Sequence, residues 1–472
     1  MIRYRNSAAH SDFGGISIFI LLFGVITTSL IAGLVIIAAS QYTQSLRTES
    51  YEKALSIAES GIDYYRWHLA HNPTDYTDGT GQPGPYLHEV TEPSGHADGT
   101  FSLEITPPAS GSGIITIESA GWTNDRSDIK RTVRVKLGTP SIAKFAFLNN
   151  ANMWFGQKTT ISGKIFSNGG IRMDGTHDSS VQSARETYTC GQETGCDPPE
   201  SKPGIWGEGG PQELWEFPVT SVDFEGINLD YSVMKNSAEN GGLYLPASGS
   251  FGYHIVFDAN GTYTVMTVTA ADSERGWSVE NGCETLYQVI DEETPVGTYT
   301  ISTKPIIFAE DHLWVEGTVN GKVTVVAARF PLDLNDMNIW INNNIVYVAK
   351  DGSHNLGLIA QNNIYIPLDV PEILEIDAAL LAHENKVLRH DYKHKDCKNA
   401  PGAVRQKLIF YGALISNQRS YWNYGGGSAG FGSDPVSGFS QREFTYDPYL
   451  YYSPPPYFPL QGGIEIISWE EE

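Results

Sequence analysis

The chain carries little charge, and positive charge is the scarcer kind. Only 18% of its 472 residues are charged, 55 acidic against 31 basic, for a net of −24. Such a field repels phosphate backbones, so nucleic acid is not an expected partner. Cysteine is also scarce: Cys190, Cys196, Cys283 and Cys397 are the four present, and none forms a C-x-x-C pair. An even count in an exported chain reads as two disulfides. Cys190 and Cys196 lie close enough for a local bridge, which leaves Cys283–Cys397 as the long one. Other connectivities, and free buried thiols, stay open. H-E-x-x-H and P-loop motifs are absent, which removes two common routes to catalysis. Apolar residues are held to 40%, too few for a multi-span transporter and ordinary for a globular chain.

What is abundant points to short strands. The 48 Gly, 25 Pro and 25 Tyr favour turns and β-structure over long helices. One segment departs from this. Ile16 to Ala39 holds no charged residue and is long enough to span a hydrocarbon core of ~30 Å. It is longer than a signal-peptide core and continues without an obvious cleavage signal. Arg3 and Arg5 precede it, which places the N-terminus in the cytoplasm and the remainder outside. Beyond it, Tyr51, Ala54, Leu55, Ala58, Ile62, Tyr65 and Leu69 recur at helical spacing until Asn72-Pro73 stops the run. The pattern predicts one helix of about fifty residues, half in lipid and half packed on something outside.

Glycines just before the apolar span, followed by Ala58-Glu59-Ser60-Gly61 on the helix, resemble the N-terminus of PilX-type minor pilins of the type IV pilin superfamily. Phe101–Ile105, Ile115–Gly121 and Lys130–Val135 alternate with period two, as a pilin-like antiparallel sheet would. The resemblance runs to about Gly138 and implies prepilin-type cleavage near Gly14, Gly15 and Ile16, a membrane anchor, and other pilin-like subunits as partners. Two departures stand out. Asp12-Phe13 precede Gly14-Gly15 where pilins usually carry a basic residue. The fifth mature position, usually Glu, falls on Ile20 or Phe19. A buried carboxylate needs a partner. In pilins the partner is thought to be the N-terminal amine of a neighbouring subunit. Lack of the Glu therefore suits a tip or priming subunit, or a protein that enters no filament.

After Gly138 the sequence becomes a series of β-runs with Gly and Asn at their corners, as in Thr160–Ile171, Leu313–Val326, Leu358–Ile366 and Leu408–Ile415. Repeated turns of this kind predict a right-handed parallel β-helix-like domain, with a β-sandwich as the alternative. The stretch loosely resembles bactofilin rungs and the β-helical exterior domains found behind PilX-type N-termini. The chain thus divides into a leader-like cytoplasmic segment (1–15), a transmembrane and extended helix (16–72), a pilin-like sheet (73–139), a β-helix-like exterior (140–445) and a Pro/Tyr-rich C-terminal strap (446–472). Residues 181–300 read as an insertion, with a helix near Ile227–Ala238 and a type I′ hairpin turn at Asn260-Gly261.

Candidate chemistry is thin. His383, His390, Asp391, His394, Asp396 and Cys397 cluster in sequence, but Lys386, Arg389, Lys393, Lys395 and Lys398 oppose a cation there. The acidic loop Asp333–Asp336 lacks the EF-hand pattern. In the β-runs Glu316, Lys322 and Asp351 are scattered, without the paired carboxylates of a glycosidase. No metal, cofactor or enzymatic activity is expected. Tyr421, Trp422, Tyr424 and Phe431, beside the glycine-rich Gly425–Gly432, are stacking candidates for a surface polysaccharide. The expected function is a PilX-like minor subunit, or a tip subunit, in pilus assembly or adhesion. The alternatives are a membrane-tethered adhesin or wall-binding protein, or a β-helix carbohydrate-active enzyme.

Overall fold

An uncharged run of helix formers makes the first element. A computed structural model describes residues 13–91, 95, 97–108, 113–224, 230–397, 400–425, 435–461 and 463–471. Its first helix, α1, runs unbroken over Phe13–His71. From Ile16 to Glu49 its side chains have no packing partner, and the helix is long and apolar enough to cross a membrane. Thr27 and Thr28 turn their hydroxyls back to the carbonyls of Phe23 and Gly24, at 2.6 and 2.7 Å, so neither carries a bare donor into an apolar medium.

The second half of α1 behaves differently. Ala54, Ile57, Ala58, Ile62, Tyr65 and Leu69 are all buried. Ile57 joins the face that sequence spacing predicts, whereas Leu55 is half-buried and Tyr51 stays exposed, its ring 4.0 Å beneath the Arg131 guanidinium. The face packs on a five-stranded sheet ordered β1 (Tyr86–Thr91), β2 (Ala97–Thr106), β3 (Ile114–Thr123), β4 (Arg131–Gly138) and the C-terminal strand Glu465–Glu471. The β1–β2 and β2–β3 pairings are antiparallel. Phe101, Leu103, Ile115, Ile117, Val133 and Val135 alternate inward, as period two requires. Gly121 lies so close to the α1 backbone at Ala54 and Ala58 that no β-carbon would fit. The sequence reading carried the strap from 446 to 472. The structure instead returns the chain to this first sheet with the strand Glu465–Glu471.

The second compact unit, Pro108–Ile115 with Gly138–Glu465, is mainly β and its long pairings are parallel. That pairing is not the antiparallel one of a β-sandwich. One parallel ladder aligns Ile307, Val325, Leu358, Leu380, Leu414, Phe147, Ile165, Val181 and Trp215. A second aligns Ile345, Ile376, Phe410, Phe444, Ile161 and His177. Apart from His177, and with Trp215 packed against its edge, these residues belong to one apolar core between the ladders. Each return of the chain adds one step in the same direction, from Leu243 through Ser416. The next step is Phe147, so the ladder is continuous where the sequence is not. Residues 217–242, including α2 (Tyr231–Asn240), carry the chain from Trp215–Glu216 back to the far end at Leu243–Leu245. The stretch read as an insertion therefore splits. Residues 181–216 continue the ladder, and 243–258 start its other end.

The rest of that stretch is a long antiparallel hairpin, Thr262–Ser278 with Gly282–Thr300. The turn that opens it has three residues, Ala259 to Gly261, between paired Asp258 and Thr262. It is not the two-residue type I′ turn expected: Gly261, at φ 87°, provides the left-handed residue that closes a three-residue loop. The predicted helix appears as Tyr231–Asn240, and residues 227–229 lie outside the described residues. The strap packs along a side of the ladder. Leu450 and Phe458 are buried against Ile306, Phe308, Val326, Ile359 and Leu381 on the outer face of the first ladder, which α2 also covers. That face is apolar and needs a cover.

Candidate functional site

The residues singled out from sequence lie far apart. Gly14, Gly15 and Ile16 sit in the first turns of α1. Cys190 and Cys196 are joined by a disulfide and close the loop that contains the short 3-10 turn Gln192–Thr194. Cys283 and Cys397 are not bonded, although they are neighbours. Burial, followed by the neighbouring Cys283 thiol, pushes Cys397 up to about 11. Cys283 also donates to the Asp396 carbonyl at 3.2 Å.

The histidine cluster is dispersed by its packing. His390 bonds Glu284 at 3.0 Å, His394 stacks on Trp277 with centroids 4.2 Å apart, and His383 meets Tyr231 edge-on at 5.6 Å. Each holds the long hairpin or α2 in place. Among the described residues no three His, Cys, Asp or Glu side chains gather as a metal site.

A cavity forms where one ladder is interrupted. On the third side of the winding, Leu313, Ile339, Ile364 and Val387 pair in sequence, and Leu388 bridges to Tyr421. The next strands on that side, Met153–Phe155, Ile171–Met173 and Ile205–Trp206, form a separate three-stranded sheet. Between Tyr421 and Met153 the described residues show no pairing. A cleft of about 240 Å³ opens there, with Trp154, Tyr421, Trp422, Tyr424 and Phe444 among its lining residues. Tyr421, Trp422 and Tyr424, read from sequence as stacking candidates, are therefore nearly buried residues of a cavity wall. Phe431 and residues 426–434 lie outside the described residues.

Three guanidiniums also line it. Arg172 lies 4.2 Å from the Trp154 ring and pairs with Asp174 at 2.8 Å, while Trp154 Nε1 donates to the same carboxylate at 2.7 Å. Arg419 donates to the Glu193 carbonyl within the disulfide-closed loop, and Arg172 to the Thr194 carbonyl at 3.1 Å. Arg442 donates to Thr159 Oγ1 at 3.1 Å and to the Phe439 carbonyl at 2.7 Å. Burial lowers its pKa to about 10. Neither Arg419 nor Arg442 faces a carboxylate partner among the described residues. Sequence reasoning missed these arginines because they follow no motif, and Arg419 and Arg442 stand hundreds of positions from Trp154.

No family model matches this sequence, and no curated protein matches it. Among solved structures, the chain is similar to the crystal structure of the competence-associated pilin ComZ from Thermus thermophilus. Identity is 13%, the TM-score is 0.30, and 90% of this chain and 97% of that chain are covered. At that identity and TM-score the likeness carries no argument about function. The chain's own geometry must supply one.

Proposed function

We propose that this chain is a type IV pilin-related, PilX-like minor subunit, anchored by α1 and carrying a parallel β-helix outside the membrane. One observation supports it above others: a single helix is bare and apolar through its first half and packed on an antiparallel sheet through its second. A lone soluble domain has no use for such a bare half-helix, whose apolar surface must be covered by lipid or by other helices. Gly24 and Gly33 have open space around them, which suits close approach of a neighbouring helix. The basic residues before the span favour an exterior location for everything after it. In this reading the work is assembly and surface presentation, without catalysis, cofactor or nucleic acid.

Ile20 or Phe19 at the position where pilins carry Glu favours a tip or priming place in the filament. The same observation favours a second reading, a tethered adhesin outside any filament. Shearing cells and probing both fractions separates them. A filament subunit is released with the sheared fibres, whereas a chain that stays wholly with the membrane contradicts the filament reading.

A further inference from the structure

We propose that the cleft at the ladder break binds an acidic sugar unit, a pyranose ring bearing one carboxylate. The inference needs the second unit to face the outside but does not depend on filament entry.

The cleft has a structural cause. Among the described residues the third ladder stops at Tyr421 and a separate sheet begins at Met153. The opening exposes side chains that elsewhere would be covered. Its volume, about 240 Å³, lies just below the usual range of ligand sites, which starts at about 300 Å³, and suits one ring rather than an extended chain.

The lining specifies the chemistry. Arg419 and Arg442 are both nearly buried, yet their described partners are neutral oxygens. A buried guanidinium without a counter-charge is a site for an anion, and its fork geometry suits a carboxylate. The chain as a whole is strongly acidic, so this positive lining is not the general character of its surface. Asp174 and Glu193 line the same cleft and oppose a densely charged ligand such as a polyphosphate. They, with Gln157 and Asn423, instead offer acceptors to hydroxyl groups. Trp154 and Trp422 provide flat apolar faces, which the C–H face of a pyranose can cover. Gln157, exposed on the wall, adds an amide that a sugar hydroxyl can reach. One carboxylate, several hydroxyls and one flat face together describe a uronic-acid residue.

The loop closed by Cys190–Cys196 places two of these groups, since the Glu193 and Thr194 carbonyls hold Arg419 and Arg172. It acts as a positioning element for the site.

The test uses the full chain in detergent micelles and follows tryptophan fluorescence, with Trp154 and Trp422 as reporters. The probes are glucuronic acid, glucose, inorganic phosphate and a nucleoside monophosphate. The expected result is saturable quenching by glucuronic acid, at least tenfold tighter than by glucose or phosphate. Arg419→Gln should lose at least tenfold of that affinity with an unchanged melting temperature. Gln157→Ala, at an exposed residue of the wall, should weaken binding with the fold intact. It keeps the test decisive if the arginine variant unfolds. Equal binding of glucose, preference for phosphate or the nucleotide, or no response to glucuronic acid would each overturn the proposal. None of these outcomes bears on the membrane anchor or the filament reading.

Discussion

Glycines at two places in α1 and its partner sheet show how position decides a residue's importance. Gly121 on β3 supports the backbone of α1 at Ala54 and Ala58, while Gly24 in the bare half of the helix has nothing within reach. Gly121→Ala should therefore destabilise the first unit by about 1–3 kcal/mol through overpacking. Gly24→Ala should leave unfolding unchanged. Chemical denaturation of both variants checks the pair, and equal effects would show that α1 does not pack as described. Cysteines give a second residue-scale prediction. Cys283 and Cys397 are free and near enough for one to shift the other's titration, so an oxidising exterior should join them. Non-reducing peptide mapping of exported protein should recover one linked fragment. Both thiols alkylated without prior reduction would contradict it. The proximity of Cys190 and Cys196 was readable from spacing. That of Cys283 and Cys397 was reached only by elimination, because it depends on a hairpin tip meeting a distant loop.

At the scale of elements, the long hairpin is the piece whose attachment can be measured. Its tip is held by paired backbone bonds between Trp277 and Asp391, by Glu284 on His390, and by Glu280 on Lys386 and Tyr421. Behind the tip it covers a row of stacked rings, Trp314 on Trp340 at 4.9 Å and Trp340 on Tyr365 at 5.6 Å. Burial raises the Glu284 carboxyl, but hydrogen bonds from His390, Ser278 and Asn281 outweigh it and bring the pKa down to about 2. Depression below the unfolded value of about 4.3 means the attachment is at full strength above that pH. It weakens as pH falls towards about 2. Hydrogen exchange at the tip should accelerate over that window, and Glu284→Gln should flatten the part of the profile due to this group. Glu280, also depressed, should keep a residual slope. An unchanged profile in the variant would sink this account of the tip. Trp314→Ala, which empties the ring row, should cost about 3–5 kcal/mol in thermal or chemical unfolding. A loss below 1 kcal/mol would mean the hairpin collapses into the space.

For the whole molecule, legibility followed the range over which a signal acts. The membrane-length run and the amphipathic continuation of α1 were plain in sequence, because both are set by residues within a few turns of each other. Parallel strands were legible from Gly and Asn corners. The order of the ladder was not: nothing local tells Leu414 that its neighbour is Phe147, since register in a stacked ladder comes from burial shared between distant segments. The return of Glu465–Glu471 to the first sheet and the cleft at the ladder break were hidden for the same reason. Each arises from chain segments meeting, with no motif at any one of them.

The central claim is that α1 is a processed assembly helix. The mature N-terminus, read by mass spectrometry in membrane and sheared-surface fractions, tests it most directly. The account predicts a first residue at Gly15 or Ile16, with that form present among the sheared fibres. An N-terminus upstream of Gly14, found in membranes alone, would contradict the filament role and leave a tethered surface protein.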